Sequence, residues 1–256
     1  MNGHVFGALL LRDAVVAKRE VIGILLRTLM QPVLFVIVFG LLLPEMGMIP
    51  RGYNTTMLPG IAALSATMAS IWSVTMPLIA DFGMTKEIED RLLAPVPIWL
   101  VALQKMSSGI IQGALAVVIV LPVARLLMGP VPGLTLRNLP LLVVMVFLGG
   151  AVYSAFGLFL GTALQPQHIS LMMQLIFAPM IMFGCTYYPW AGLSRFPVLK
   201  YAVLVNPLVY ISEGMRAALT PGVDHMPLAA ILGALTAMTL ALTWLGLRGF
   251  RKRAIG

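Results

Sequence analysis

The feature that most limits what this chain can fold into is a set of six stretches without a single charged residue. They run from Thr28 to Pro44, Met57 to Ala80, Met106 to Ala124, Leu139 to Leu164, Ile169 to Ser194 and Met226 to Leu247. Crossing the hydrocarbon core of a bilayer takes ~20 mainly apolar residues, within a range of roughly 17–25. Inside lipid an open chain satisfies its backbone hydrogen bonds only as a helix. The whole chain is 60% hydrophobic and only 10% charged, whereas a soluble domain carries about 25% charge to wet its surface. The same shortage excludes disorder, which needs low hydrophobicity and high charge. The sequence predicts an all-α integral membrane protein with six transmembrane helices, spread over residues 28–250. The first stretch is short and is expected to begin inside the preceding helix, with Arg27 snorkelling to the interface. The fifth is overlong, and Pro189 marks its expected end.

An even number of crossings puts both termini on one side. Placing them inside assigns eleven Lys and Arg to the cytoplasm, from Arg12, Lys18 and Arg19 to the tail Arg248, Arg251, Lys252 and Arg253, against six outside. The positive-inside rule selects that orientation, so both termini are expected in the cytoplasm, with residues 251–256 as a basic tail. Topology alone then accounts for the net charge of +8. No basic run with interleaved aromatics lies outside the stretches, so nucleic acid is not an expected partner. Cys185 is the one cysteine, which rules out a disulfide within the chain and suggests a packed thiol. Arg12 and Asp13 interrupt the first apolar residues, and no small-residue cleavage site follows. The N-terminal region is therefore expected to be retained.

Three segments outside the stretches carry pattern. Leu11, Val15, Ile22, Leu25, Leu26 and Leu29 recur at helical spacing, with Arg12, Arg19 and Arg27 on another face. Residues 1–27 thus read as an amphipathic helix on the cytoplasmic membrane surface, or as a charged extension of the first crossing. Between the second and third stretches lies the densest charge in the chain, Asp81 to Pro97. Thr85 followed by Lys86-Glu87-Ile88-Glu89 resembles a helix start with acids in its first turn, and Pro95 and Pro97 stop it. A short helix over about 84–94, charged on one face and leucine-rich on another, suits docking to a partner; a solvated loop is the plainer alternative. The third segment, about 188–221, has apolar pieces too short to cross. Asn206-Pro207 supplies an N-cap and a proline at the first helical position. Leu208, Ile211, Met215 and Leu219 then share a face, and Glu213 and Arg216 are spaced to pair. This is expected to be a short external hairpin that re-enters the outer leaflet or folds over it.

Catalytic chemistry is missing from the sequence. His4, His168 and His225 stand far apart, and neither H-E-x-x-H nor G-x-S-x-G occurs. Gly47 to Gly52 spells G-x-x-x-x-G, but Tyr53-Asn54 follows where a phosphate-binding loop needs Lys-Ser/Thr. The chain is therefore expected to be no ATPase, to bind no metal and to hold no cofactor of its own. The six stretches also lack ionisable groups of the kind that ion and proton carriers place within their crossings. A driving force from outside the lipid is implied. Gly109-x-x-x-Gly113 and Gly157-x-x-x-Gly161 allow close helix contact, a pattern common in apolar sequence.

In order along the chain, these segments resemble the permease subunits of type 2 ATP-binding-cassette exporters, which include bacterial drug-resistance permeases and relatives moving polysaccharides, nodulation factors and lipids. Met57-Leu-Pro-Gly-Ile looks like the Pro-Gly opening of that family's second span. Lys86-Glu-Ile-Glu-Asp-Arg-Leu-Leu-Ala-Pro-Val-Pro is similar to its cytoplasmic segment, although Glu-x-Gly-x-Leu is common there and this chain reads Glu87-Ile-Glu-Asp-Arg-Leu. Tyr188-Pro189 and Asn206-Pro207-Leu-Val-Tyr-Ile-Ser-Glu-Gly-Met-Arg216 look like its external hairpin.

The resemblance implies a half-transporter in a bacterial inner membrane: two permeases, identical or related, with two separate P-loop ATPase subunits that bind ATP and magnesium. It implies ATPase-coupling roles for Lys86, Glu87, Glu89, Asp90, Arg91 and Leu92, and an ATPase-facing interface helix with Arg12, Lys18 and Arg19. Spans one, two and five line the path in that family. Methionine and aromatic faces adapt to varied apolar ligands, which nominates Met68, Trp72 and Thr75 of span two with Met172, Met173, Phe177 and Met180 of span five. An amphipathic or hydrophobic drug, lipid or lipid-linked saccharide is the implied cargo. A membrane scaffold or assembly factor for an ATPase, without translocation, is the alternative from another class.

Overall fold

A computed structural model of the chain describes residues 32–50, 52–83, 98–131, 133–164 and 169–255, together with Gly23 and Met30. Regular structure among these residues is helical, with no strand. In chain order the helices are α1 (Pro32–Glu45), α2 (Tyr53–Gly83), α3 (Ile98–Met128), α4 (Leu139–Ala163) and α5 (Ile169–Met182). A 3₁₀ turn at Trp190–Arg195 follows, then α6 (Pro197–Ala202), α7 (Pro207–Leu219) and α8 (Leu228–Ile255).

Among the described residues α2, α3, α4 and α8 are long and apolar enough to cross a membrane. They coincide with the second, third, fourth and sixth charge-free stretches. Within the described residues the helices of the first and fifth stretches are shorter, and both begin next to residues outside the described set. The 14 described residues of α5 rise about 21 Å at 1.5 Å per residue. In α1 the segment Val36–Leu42 is wound as a π-helix, and Asn54 Nδ2 reaches the Gly40 carbonyl there at 3.4 Å.

The fifth stretch also ends differently from expectation. Its helix stops at Met182 rather than at Pro189. Cys185 has φ +52°, a left-handed conformation outside the helical region. The carbonyls of Cys185 and Thr186 point instead at the Arg216 guanidinium. This loop stays apolar after leaving the helix, so lack of charge gives no sign of the break.

Helix α2 is the centre of the bundle: 89% of its most apolar window is buried, against 11% for α8. Its small residues explain this. Ala62, Ala63, Ser65, Ala66, Thr67 and Ser70 are all buried and let neighbours approach closely. Both glycine pairs face it. A Cβ on Gly113 of α3 would meet the Ala66 carbonyl at 3.1 Å, and one on Gly157 of α4 would meet the Ile71 carbonyl at 3.1 Å. The Ser70 hydroxyl donates to the Gly109 carbonyl at 3.0 Å and the Thr75 hydroxyl to the Gly157 carbonyl at 3.2 Å. Helix α8 packs on α4, with Gly246 against Leu158 and Gly249 against Thr162. It exposes Leu240, Trp244 and Leu245, an apolar outer face suited to lipid.

Helix α3 runs opposite to α2, α4 and α8, so the bundle has two distinct ends. One gathers the start of α2, the end of α5, the pieces from the 3₁₀ turn through α7, and the start of α8. The other gathers the end of α2, the start of α3, the end of α4 and the end of α8. They are called the hairpin end and the base below.

Candidate functional site

Helix α7 shows how the hairpin end is assembled. Asn206 caps it: Oδ1 accepts from the Leu208 N–H at 3.0 Å, and Nδ2 donates to the Met180 carbonyl at 2.7 Å. The residue that starts α7 therefore also ties it to the last turn of α5. From Leu208 to Leu219 every residue of α7 is buried. One apolar face was expected; the helix is instead enclosed on all sides, with Ile211 against Gly149 and Gly214 against Met145 of α4.

Within that enclosure sit Glu213 and Arg216, both 0% exposed. Arg216 Nη1 donates to Glu213 Oε1 at 2.8 Å. An ion pair so deeply buried persists only when its remaining donors and acceptors are also met. Here they are met by backbone from four other places. Arg216 Nε donates to the Thr56 carbonyl at 3.2 Å, while Nη2 donates to the Thr186 carbonyl at 3.1 Å and to the Cys185 carbonyl. Glu213 Oε1 accepts from the Trp190 N–H and Oε2 from the Met226 N–H, each at 2.9 Å. The first turn of α2, the loop after α5, the 3₁₀ turn and the lead into α8 thus all meet on two side chains.

The surrounding contacts tighten the same junction. The Tyr53 hydroxyl donates to the Tyr187 carbonyl at 2.5 Å. The Tyr187 ring lies 5.1 Å from Phe35 and 5.5 Å from Phe39 of α1. Gly60 lies so close to the Thr186 carbonyl that an added Cβ would be 1.8 Å from that oxygen. The Pro-Gly at the start of the second span therefore has a steric reason: only glycine admits the loop. Trp190 Nε1 donates to the Lys200 carbonyl at 2.9 Å, and Lys200 Nζ sits 4.3 Å over the indole.

On the flank of α2 facing α5, the Trp72 ring meets the Phe177 ring edge-on at 5.7 Å and 68°. Trp72 is 38% exposed, while Met68, Phe177 and Met180 are buried beside it. Thr75 faces the other way, enclosed against α4. The side chains of Met172 and Met173 lie outside the described set. Beyond Met180, a mainly apolar cavity of about 490 Å³ opens between α4, α5 and the hairpin, lined by Phe156, Ile176, Pro179, Phe183, Leu199 and Asn206 among others. Its size falls within the range of small-molecule sites.

At the base, Asp81 of α2 and Lys105 of α3 pair at 3.4 Å, almost wholly buried. Phe82 packs edge-on against Phe250 of α8 at 5.2 Å, and the Arg253 guanidinium lies 4.9 Å from the Phe82 ring. Arg253 Nη1 also donates to the Gly161, Thr162 and Leu164 carbonyls at 3.3, 3.3 and 2.8 Å, closing the carbonyls left open where α4 ends. Lys86, Glu87, Glu89, Asp90, Arg91 and Leu92 lie outside the described residues, as do Arg12, Lys18 and Arg19. No cluster of metal-binding side chains occurs among the described residues.

Sequence reading paired Glu213 with Arg216 by spacing but missed their backbone partners, which have no side-chain signature. It placed Asp81 at the start of the charged connection and Lys105 at the border of the third stretch but did not pair them; each stands one residue outside a charge-free stretch.

A bundle of long apolar helices with a buried ion pair at each end defines a multi-pass membrane protein. The chain matches the ABC-2 type transporter family over residues 4–220. That match takes in more than half of its length, and the chain belongs to this family. Membership makes it the membrane component of a transporter, not itself the ATPase, of a kind that associates with an ATP-binding-cassette ATPase. No curated protein matches the chain significantly.

Proposed function

We propose that the chain is the permease half of an ATP-driven exporter in a bacterial inner membrane, with both termini cytoplasmic. Two such subunits pair, each with a separate ATPase subunit, and move an amphipathic or hydrophobic compound outward. The observation that carries this reading is the course of α2. It runs without a break from the Glu213–Arg216 junction to Asp81, at the edge of the 84–97 connection. A displacement applied at that connection has one continuous helix through which to reach the opposite end, with Pro59 and Pro77 as the points where its hydrogen-bond ladder is interrupted.

In this reading the base faces the cytosol. Lys86, Glu87, Glu89, Asp90, Arg91 and Leu92 form the handle held by the ATPase, and Arg12, Lys18 and Arg19 lie along the same surface. Closure of the ATPase pair moves the handles and tilts α2, and the cargo site changes affinity because the two states offer it different contacts. Trp72, Met68, Phe177 and Met180 are the side chains assigned to the path, with Met172 and Met173 continuing it along α5. Thr75 stands behind them as a packing residue. An apolar, charge-free path suits a lipophilic cargo.

The test is charge reversal at Glu87, Glu89, Asp90 and Arg91 in the complex with its ATPase, reconstituted in liposomes. ATP hydrolysis is expected to continue while efflux of a lipophilic dye or a fluorescent lipid stops. Undiminished efflux would overturn the handle assignment. A complex that hydrolyses ATP yet moves no cargo even as wild type would favour a scaffold.

A further inference from the structure

The Asp81–Lys105 pair stands where a transporter of lipophilic cargo has no chemical need for charge. Asp81 is 8% exposed and Lys105 5% exposed, and they face each other at 3.4 Å across the α2–α3 contact. A lysine near the end of a membrane helix ordinarily extends its ammonium to the interface. Lys105 sits only two turns into α3 and is instead turned inward on Asp81. Burying two charges is unfavourable unless they are paired, so this arrangement is not the default packing of two apolar helices. In some proteins buried polar or ionic groups serve to fix register and relative position rather than to add stability.

The neighbours say what is being fixed. Farther along the same contact, α2 and α3 touch through small residues, with Ser70 on the Gly109 carbonyl at 3.0 Å. That contact favours close approach and is held against sliding by a neutral hydroxyl hydrogen bond, a weaker stop than an ion pair. One residue past Asp81, Phe82 is held by Phe250 and Arg253 of α8, and Arg253 also holds the end of α4. The foot of α2 is therefore joined to α4 and α8 by aromatic and backbone contacts, and to α3 by charge. Residues 84–97 connect the two helices that the charge pair joins.

We propose that Asp81 and Lys105 are positioning residues for energy coupling: their ion pair locks the foot of α2 to that of α3, so the two helices move as one body when the intervening connection is displaced. The idea rests on the exporter reading above. Coupling across a protein is carried by rigid elements and the links between them, and removing this link leaves α2 and α3 free to respond separately.

The experiment places spin labels on α2 and α3 through Ser73→Cys and Leu103→Cys in the reconstituted complex with its ATPase. Their separation is measured without nucleotide and after trapping with ATP and vanadate. A single label, Ser73→Cys on each of the two permeases of the complex, reports whether α2 moves at all. In wild type the α2–α3 separation is expected to stay constant while the separation between the two α2 labels changes. In Asp81→Asn and in Lys105→Met the α2–α3 separation is expected to shift by about 2 Å or more on trapping, the scale of helix shifts in such transitions. The exchanged pair, Asp81→Lys with Lys105→Asp, restores the constant separation and guards against misfolding of the single variants, which is checked by thermal unfolding.

A constant α2–α3 separation in both single variants overturns the proposal. So does a folded exchanged variant that behaves like the singles. Glu89→Arg with Asp90→Arg separates this outcome from failure of the exporter reading. If those changes leave the nucleotide response of α2 intact, the handle reading fails; if they abolish it while Asp81→Asn keeps α2 and α3 together, only the locking role fails.

Discussion

Arg216 and Glu213 lie one helical turn apart in α7, joined at 2.8 Å, and neither has any contact with solvent. Between them they accept or donate six hydrogen bonds, one to each other and five to backbone of segments up to 160 residues away. Two charges thus do at the hairpin end what a hydrophobic cluster does elsewhere, because the loops that meet there offer mainly carbonyls and amides.

Breaking that pair from one side is expected to be severe. Arg216→Met leaves the Glu213 carboxylate buried and three carbonyls without donors, at a cost of about 3–5 kcal/mol. Removing both charges with Glu213→Leu and Arg216→Met costs less than the sum of the two single changes, because neither charge is left alone. Thermal unfolding of the purified protein in detergent measures the double-mutant cycle.

Gly60 and Gly233 make a paired test of close approach. Gly60→Ala places a methyl group against the Thr186 carbonyl backbone, which has no flexible end to give way. Loss of folded protein in the membrane fraction is the expected outcome. Gly233→Ala on α8 meets nothing within 4 Å and is expected to be neutral or to stabilise the helix by up to about 1 kcal/mol. Both are read by accumulation in the membrane and by melting temperature.

Cys185 is 0% exposed, pinned by its own carbonyl to Arg216. Its thiol is expected to resist a maleimide in the folded protein and to react once the hairpin end opens. Labelling in the Arg216→Met background should therefore run far ahead of wild type under native conditions. Equal labelling rates would show that the loop after α5 is held by something other than Arg216.

Asn206 is expected to separate capping from bridging. Asn206→Ala loses the α7 cap, about 1 kcal/mol, and the bond to the Met180 carbonyl, about another 1 kcal/mol. Asn206→Asp keeps the cap acceptor but turns a carboxylate oxygen toward that carbonyl, so it should be no more stable than the alanine variant. Differential unfolding of the three proteins distinguishes the terms.

Particular residues show how far the sequence could be read. Asn206-Pro207 announced the start of α7 because an N-cap side chain and a proline at the next position act within one turn. The two glycine pairs announced close packing, although not that α2 was the helix they both approach. Cys185, by contrast, carries no sign that the fifth helix ends before it. The break coincides with a guanidinium thirty-one residues later, and a contact made by a distant side chain leaves no local pattern. Asp81 and Lys105 were visible only as the edges of charge-free stretches, and nothing in either neighbourhood pointed to the other.

The sequence alone determined the class of this protein, because spacing of apolar stretches and exclusion of charge are properties that hydrocarbon imposes residue by residue along the chain. It likewise determined the family, the charged connection after the second stretch and the pairing distance within α7. Only the tertiary structure decided which charges are buried together, which glycines touch which backbone, and where the hairpin gathers its anchors. Those outcomes depend on groups brought together from opposite ends of the chain, and a buried charge or a close backbone approach has its energy only once all of them are in place.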